Sequence, residues 1–384
     1  MGSFIPYGRQ FIDEEDINAV VEVLRSDFIT QGETINRFEK SLAEYFGARY
    51  AVVFNSGTSA LHGAYFSLGL KKGDKFITTP LTFAATSNAG LFLGARPVFV
   101  DVEPDTGNID VSKIEESVTP DVSMISVVHY AGHPVDMEKV YSIAKKYGLK
   151  VVEDACHAMG AMYRGEKIGS CRYSDATVFS FHPVKHITTG EGGAVLTNDR
   201  QVYEKLLMFR NHGITKNPEK FKYPPDGDWY YEMQFLGFNY RMTDFQAALG
   251  ISQLKKLDRF VKRRREIARK YAEVFDGNPY FDLPVEKDYA FHSYHLFPVK
   301  LKEPYIGKKK EIFSGLRTEG IGVQVHYIPV YRHPYYREAG YSDTFCPVAE
   351  DFYRREISLP VYYSLTDNEL FSVAEKVKKV FNRI

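Results

Sequence analysis

The sequence predicts an α/β fold in which a large domain built on a mostly parallel sheet is followed by a smaller α+β domain. Three observations predict it. The chain has 384 residues, more than the roughly 250–300 that a single hydrophobic core serves. Short apolar runs alternate with helical patterns from Tyr50 to Ala155, and that alternation gives way to a different pattern after Asp175.

Each element follows from its own spacing. The stretch DEEDINAVVEVLRSD from Asp13 carries acids in its first turn and apolar residues at helical intervals, and Glu33–Phe46 repeats the pattern. Both are read as entry helices. Tyr50–Phe54 is a strand that ends in the turn Asn55-Ser56-Gly57-Thr58 and leads into the helix SALHGAYFSLGL. Strands then follow at KFITTP, RPVFVDV, SMISVVHY and LKVVEDA, interleaved with helices at FAATSNAGLFLG, VSKIEESV and MEKVYSIAKKYG. Such alternation requires parallel strands with helices on both faces, and ligands bind beyond the carboxyl ends of those strands. Asn55–Ser59, Thr82–Phe83 and Asp154–His157 fall at that edge. After Asp175, ATVFSFHPV and GGAVLTN read as two strands joined by a loop, and one long helix is expected from Asp244 to Phe275. YHLFPVKL, a helix near Lys308–Arg317, IGVQVHY and a last helix near Asp367–Val380 make the smaller domain. The boundary is placed near Lys255, giving domains of residues 1–254 and 255–384.

Lys+Arg and Asp+Glu both number 49, so no global field draws the chain to nucleic acid or an anionic membrane. Any phosphate must be held by a local site. The basic run Lys262–Arg265, beside Glu266, reads as a solvated helix face. Cys156, Cys171 and Cys346 have neither disulfide nor metal-ligand spacing, and the neighbourhoods of His133 and His333 lack a ligand pair, so no metal is expected. With no segment of signal-peptide or membrane-spanning character, the expected location is the cytoplasm. The start, MGSFIP, approaches an N-myristoylation pattern but has Pro6 where Ser or Thr is required, which excludes it.

Four segments carry chemistry. In FSFHPVKHITTGEGGAV a strand ends at Ser180-Phe181, a single lysine, Lys185, follows, and a glycine-rich turn returns the chain to an apolar run. A lysine partly removed from water presents a neutral amine that can attack an aldehyde. By itself the segment equally describes an exposed lysine beside a turn. VVEDACHAMG places Asp154 and His157 after a buried strand. A carboxylate there can keep a pyridine nitrogen protonated, while a helix cap and a hydrogen-bonded core histidine are the structural alternatives. NSGTSALH offers hydroxyls and free N–H groups at a helix start, suited to a phosphate or to a plain N-cap. PLTFAATSNA puts Phe83 on a loop after a strand, free to stack on a flat ring or to pack in the core.

In order and spacing these motifs, with LGFNYRMTDFQAALG and the span from Thr30 to Pro360, resemble the DegT/DnrJ/EryC1/StrS aminotransferases. The resemblance implies an aspartate-aminotransferase-like fold (PLP fold type I). It also implies a pyridoxal 5'-phosphate cofactor, which becomes pyridoxamine 5'-phosphate in the half-reaction, and a homodimer with shared active sites. It implies amino transfer from L-glutamate to a keto group on a nucleotide-linked sugar. Carried over by motif, Lys185 is the Schiff-base lysine, Asp154 the partner of the pyridine nitrogen and Phe83 the stacking ring. His157 lies by the cofactor ring, Gly57, Thr58 and Ser180 cradle the phosphate, and Asn239 reaches it from the partner subunit. One branch replaces the lysine with histidine and dehydrates its substrate; here HPVKH has lysine at the motif position and His186 after it, which favours transamination. Within the family, SFHPVKHITTGEGG, QVHYIPVYRHPYYR and AEDFYRREISLP most resemble the branch of pseudaminic acid biosynthesis. That branch aminates the 4-keto group of a UDP-linked 2-acetamido-2,6-dideoxy-L-arabino-hexos-4-ulose. Related branches act on perosamine, bacillosamine or 4-amino-arabinose precursors, and a non-catalytic regulator on the same scaffold is the reading from another class. A dinucleotide-dependent oxidoreductase is disfavoured because the first turn reads NSGTSAL and not GxGxxG.

Overall fold

The computed structural model describes residues 4–384. The N-terminal motif excluded above falls partly on Met1–Ser3, which lie outside the described residues. Two helices, α1 (Glu14–Leu24) and α2 (Glu33–Phe46), precede the sheet. Asp13 caps α1 through a reciprocal bond with Asp16. α2 forms because Ile35, Phe38, Leu42 and Phe46 recur on one face, which is buried.

The main sheet has seven strands: β1 (Tyr50–Phe54), β2 (Lys75–Thr78), β3 (Arg96–Phe99), β4 (Val122–Val128), β5 (Lys150–Asp154), β6 (Ala176–Ser180) and β7 (Gly193–Thr197). Their spatial order is β1-β7-β6-β5-β4-β2-β3. β3, β2, β4, β5 and β6 pair in parallel, and β7 runs antiparallel to both of its neighbours. The fold is therefore α/β with a mostly parallel sheet, as expected. One core cluster packs α2, α5 (Met137–Tyr147), α7 (Asp244–Leu254) and the start of α8 (Leu257–Val274) around Val53, Ile125, Val127 and Phe179. Another packs α3 (Gly57–Ser67) and α6 (Arg200–Phe209) around Val52, Phe54, Phe76 and Val178. α4 (Ala85–Leu91) completes the helical layer beside α3.

A separate core forms where α9 (Lys309–Thr318) and α11 (Asp367–Arg383) pack with the strands β8 (Phe281–Asp282), β9 (Phe297–Leu301) and β10 (Glu356–Leu359). α10 (Pro347–Arg355) leads into β10. α8 serves both cores: Leu257, Phe260 and Val261 belong to the first, Ile267, Ala268 and Tyr271 to the second. Ile5 also lies in the second. Among the described residues no helix is long and apolar enough to cross a membrane.

Four expectations are corrected. The helix read at VSKIEESV is two single 3-10 turns, Val111–Lys113 and Glu115–Ser117. IGVQVHY forms no strand, only two isolated bridges, Ile321 to Ile5 and Gln324 to Ser358. The long helix breaks between Leu254 and Leu257, where Lys256 is drawn onto Asp13 and Asp16 at the start of α1. Arg264 is 2% exposed, although its run was read as solvated. Four successive residues sweep the whole circumference of a helix, and Arg264 sits in the buried row of Phe260, Val261, Ile267 and Ala268.

Candidate active site

The carboxyl ends of β5 and β6 bring the expected residues together. Glu153 and Asp154 are neighbours on β5, so their side chains leave on opposite faces of the sheet. Glu153 enters a buried network with His129 at 2.8 Å, Ser174 at 2.5 Å and Thr177 at 3.0 Å. Burial alone would raise its carboxyl, but His129, Ser174 and Thr177 together hold it below the ordinary glutamate value. Glu153 is structural. Asp154 is 5% exposed and forms no ion pair among the described residues. It accepts a hydrogen bond from Thr86 Oγ1 at 2.6 Å and from the Cys156 N–H at 3.2 Å. Asp154 is not a simple helix cap: no helix starts behind it. A buried carboxylate whose hydrogen-bond partners are all neutral is costly, and a cationic group bound beside it would supply the missing positive charge.

Lys185 lies on the loop between β6 and β7, its Nζ 3.3 Å from Nε2 of His295. Burial lowers its ammonium below the usual lysine value; Arg264 pushes the same way, while Cys156 and Asp154 oppose. The shift is toward the neutral amine that nucleophilic chemistry needs. His186, the next residue, is buried and bonds through Nε2 to the Ser293 carbonyl at 3.1 Å. The histidine of HPVKH is committed to the backbone, and the lysine is the residue at the site.

His157 is 4% exposed. Its Nε2 shares a hydrogen bond of 3.0 Å with the Tyr327 hydroxyl, its ring is 4.4 Å from that of His295, and its Nδ1 has no partner. Burial drives both imidazoles well below the ordinary histidine value, with Lys185 adding to the effect, so they are neutral. The two loops that carry them both close on Gly132, which has φ +99°; a Cβ there would lie 2.5 Å from Ser293 Oγ and 2.8 Å from the His157 carbonyl.

Gly57 opens α3 behind the N-cap Ser56, whose side chain bonds back from Ser59 N–H in a capping box. A Cβ on Gly57 would lie 2.9 Å from Ser180 Cβ and 3.1 Å from its Oγ. Glycine lets the helix start come against the end of β6, so that the N-terminal turn of α3 and Ser180 lie side by side at the sheet edge, where a helix start can receive an anion. Phe83 is 62% exposed on the loop after β2, its ring 6.4 Å from that of Tyr327. Of the two fates considered for it, core packing is excluded. Asn239 is the residue that one chain does not bring in: it is exposed, and its backbone bridges to Asn211.

Sequence reasoning missed Thr86, His295, Tyr327 and Arg264. Thr86 stands in the quoted TFAAT, three residues after Phe83, where a hydroxyl in the first turn of a helix could have been noted. Arg264 lies wholly inside the protein with backbone carbonyls for partners, Tyr294 at 3.2 Å, His295 at 3.3 Å and Val361 at 2.8 Å. Burial pushes its pKa down to about 10.

The sequence model of the DegT/DnrJ/EryC1/StrS aminotransferase family matches residues 10–378. An uncharacterised protein of Methanocaldococcus jannaschii is 44% identical over 98% of each chain. The UDP-4-amino-4,6-dideoxy-N-acetyl-beta-L-altrosamine transaminase of Campylobacter jejuni serotype O:2 is 42% identical over 98% of this chain and 99% of its own. Among solved structures, Helicobacter pylori PseC, an aminotransferase involved in the biosynthesis of pseudoaminic acid, matches with a TM-score of 0.93 at 38% identity over the whole of both chains.

Proposed function

The chain belongs to the DegT/DnrJ/EryC1/StrS aminotransferase family, and from that premise we propose that it moves an amino group from L-glutamate to the 4-keto carbon of UDP-2-acetamido-2,6-dideoxy-beta-L-arabino-hexos-4-ulose. The named relatives at 42% and 38% identity support this choice of sugar. The observation that carries the chemistry is the pairing, at one sheet edge, of a buried carboxylate lacking a cation, Asp154, with a lysine amine depressed by burial, Lys185.

The family is pyridoxal-phosphate dependent, and the residues fit that cofactor. When bound, pyridoxal phosphate supplies an electron sink that makes loss of a proton from the donor's α-carbon feasible. Lys185 is the residue to which its aldehyde attaches. Asp154, oriented by Thr86, holds the proton on the ring nitrogen through both half-reactions. Once displaced by the donor amine, Lys185 Nζ takes the α-proton from glutamate and returns a proton on the way to the sugar. His295 Nε2, in hydrogen-bond contact with that Nζ, keeps the amine aimed at the reacting carbon. Gly57 and Thr58 N–H groups with the Ser180 hydroxyl hold the phosphate, so that the far end of the cofactor stays fixed. Phe83 covers one face of the ring and His157 lies against it.

The reading includes a homodimer in which Asn239 reaches the phosphate of the other subunit. Its support is the segment before Asn239, which leaves Tyr223, Trp229, Met233 and Leu236 exposed, large apolar side chains that a partner surface would cover. It also places the enzyme in the cytoplasm, with residues 1–254 as the large cofactor domain and 255–384 as the small domain.

The test is incubation of the cofactor-loaded protein with glutamate and a panel of 4-keto nucleotide sugars, with product masses recorded. From the UDP-L-arabino-hexos-4-ulose the proposal expects an amino sugar about 1 Da heavier than the ketone, the result of exchanging a keto oxygen for an amine and a hydrogen. Turnover of a perosamine, bacillosamine or 4-amino-arabinose precursor in its place would overturn the substrate, and absence of any amine product would overturn the reaction.

A further inference from the structure

Glu356 and Ser358, two residues of β10, are 0% and 1% exposed. Residues two apart on a strand share a face, and these two meet: Ser358 Oγ donates a hydrogen bond to Glu356 Oε1. The other carboxylate oxygen accepts the backbone N–H of His326 at 2.7 Å. His326 Nδ1 lies 2.8 Å from Ser358 Oγ.

Burial raises the Glu356 carboxyl to about 7, and once it is ionised above that pH the arrangement leaves one assignment of hydrogens. A serine hydroxyl has a single hydrogen, and here the carboxylate takes it. Ser358 Oγ can then only accept, so Nδ1 of His326 must carry the proton and Nε2 the lone pair. Nε2 makes no hydrogen bond to any described residue. The ring lies 5.5 Å from Tyr7 and 4.9 Å from Tyr327, whose hydroxyl is bonded to His157. The His326 carbonyl accepts from Tyr130 Oη at 2.5 Å, so backbone and ring are both held. Burial, with the charge of Lys185 adding to it, keeps the imidazole neutral, down to about 3. With its charge settled, the tautomer is the property left to set.

We propose that Glu356 and Ser358 are positioning residues: through a carboxylate–hydroxyl–imidazole relay they fix His326 as the Nδ1-protonated tautomer, so that Nε2 meets the sugar substrate only as a hydrogen-bond acceptor for a ring hydroxyl. The sugar part of this inference rests on the function proposed above. The relay itself rests on the geometry of three side chains. It also accounts for a glutamate buried without an ion-pair partner among the described residues, an expensive feature that core packing alone does not require.

The decisive variant is Glu356→Gln, which keeps shape and removes charge. The His326 N–H then claims the amide oxygen, the amide NH₂ donates to Ser358 Oγ, and the serine hydrogen turns to Nδ1. The imidazole is forced to the Nε2-protonated form. On cofactor-loaded enzyme labelled with ¹⁵N-histidine, two-bond ring couplings report the tautomer, and the His326 signal is identified by its loss in His326→Asn. At about pH 8.5, where Glu356 is ionised, the wild type should show Nδ1–H and Glu356→Gln should show Nε2–H. Ser358→Ala, which cuts the relay without supplying a new donor, should give a mixture. In kinetics, kcat/KM for the UDP-4-keto sugar divided by the rate of the glutamate half-reaction should fall about tenfold in Glu356→Gln, the cost of one acceptor turned into a donor. An Nε2–H tautomer in the wild type, or an unchanged tautomer in Glu356→Gln, overturns the relay. An inverted tautomer with an unchanged kinetic ratio overturns the acceptor role. The tautomer is read with no sugar present, so a wrong substrate assignment and a wrong relay give different results.

Discussion

Lowering the pH from 7.5 to 5.5 should destabilise this fold far more than an average protein, and the reason lies in its buried imidazoles. His157, His186, His292, His295 and His326 all have pKa values lowered, burial being the first cause for each. Lys185 and Arg264 press in the same direction on His186 and His295. A folded value below the unfolded one means that the unfolded chain takes up protons first, so stability falls as pH drops through 6.5, the ordinary histidine value. At pH 5.5 a group kept neutral by the fold costs on the order of 1 kcal/mol, and at pH 7.5 almost nothing. Together the five cost on the order of a few kcal/mol, an appreciable part of the ~5–15 kcal/mol that holds a typical fold together. Glu356 and Glu103 work in the opposite sense, since burial raises both carboxyls, but they are two groups against five. The carboxylates held low by ion pairs lose their contribution only below about pH 4.5, outside this window. Urea midpoints measured every half unit at fixed protein concentration, on apoenzyme so that cofactor affinity does not enter, should fall steadily below pH 6.5. A midpoint flat from pH 7.5 to 5.5 would refute the reasoning, because it would require those imidazoles to be as easily protonated inside the fold as outside.

Three further outcomes concern the site. Asp154→Asn should retain cofactor but lose about a hundredfold or more in turnover, since an amide cannot hold the proton on the ring nitrogen; single-turnover rates with glutamate check this. Gly57→Ala should weaken cofactor binding by about ten- to a hundredfold because its Cβ would sit 2.9 Å from Ser180 Cβ in the cradle, read out by cofactor titration in a protein whose melting temperature is nearly unchanged. Mixing Lys185→Ala with an Asn239 variant bulky enough to block the phosphate site, each inactive alone, should restore up to half of the activity per mixed dimer. If Asn239 serves its own subunit, every mixed site keeps one lesion and nothing returns.

Much of this protein was legible in the linear chain wherever a property is local. Glu33–Phe46 and Tyr50–Phe54 have the limits that periodicity predicts, because an amphipathic helix and a short apolar strand announce themselves over a few residues. The strand–helix alternation implied the parallel sheet, and with it the edge where Gly57, Asp154, Ser180 and Lys185 converge. The motifs that converge there also carried the likeness to the aminotransferase family. What the chain alone misjudged depended on residues distant in sequence. Lys256 breaks a helix because Asp13 and Asp16 are folded against it. Arg264 is buried because the two cores close over α8, and it survives there because three carbonyls from remote segments receive it.

The chain by itself therefore determined most of the secondary-structure pattern, the fold class and the motif that singles out Lys185 as the candidate reactive lysine, since each is written in neighbouring residues. Only the tertiary structure decided that Glu153 is structural while Asp154 faces the site, that His295 touches Lys185, and that Glu356, Ser358 and His326 form one relay. Charge, tautomer and hydrogen-bond partner are set by whatever is packed within a few ångströms in space, and at a sheet edge those neighbours arrive from 110 residues away, as His295 does for Lys185.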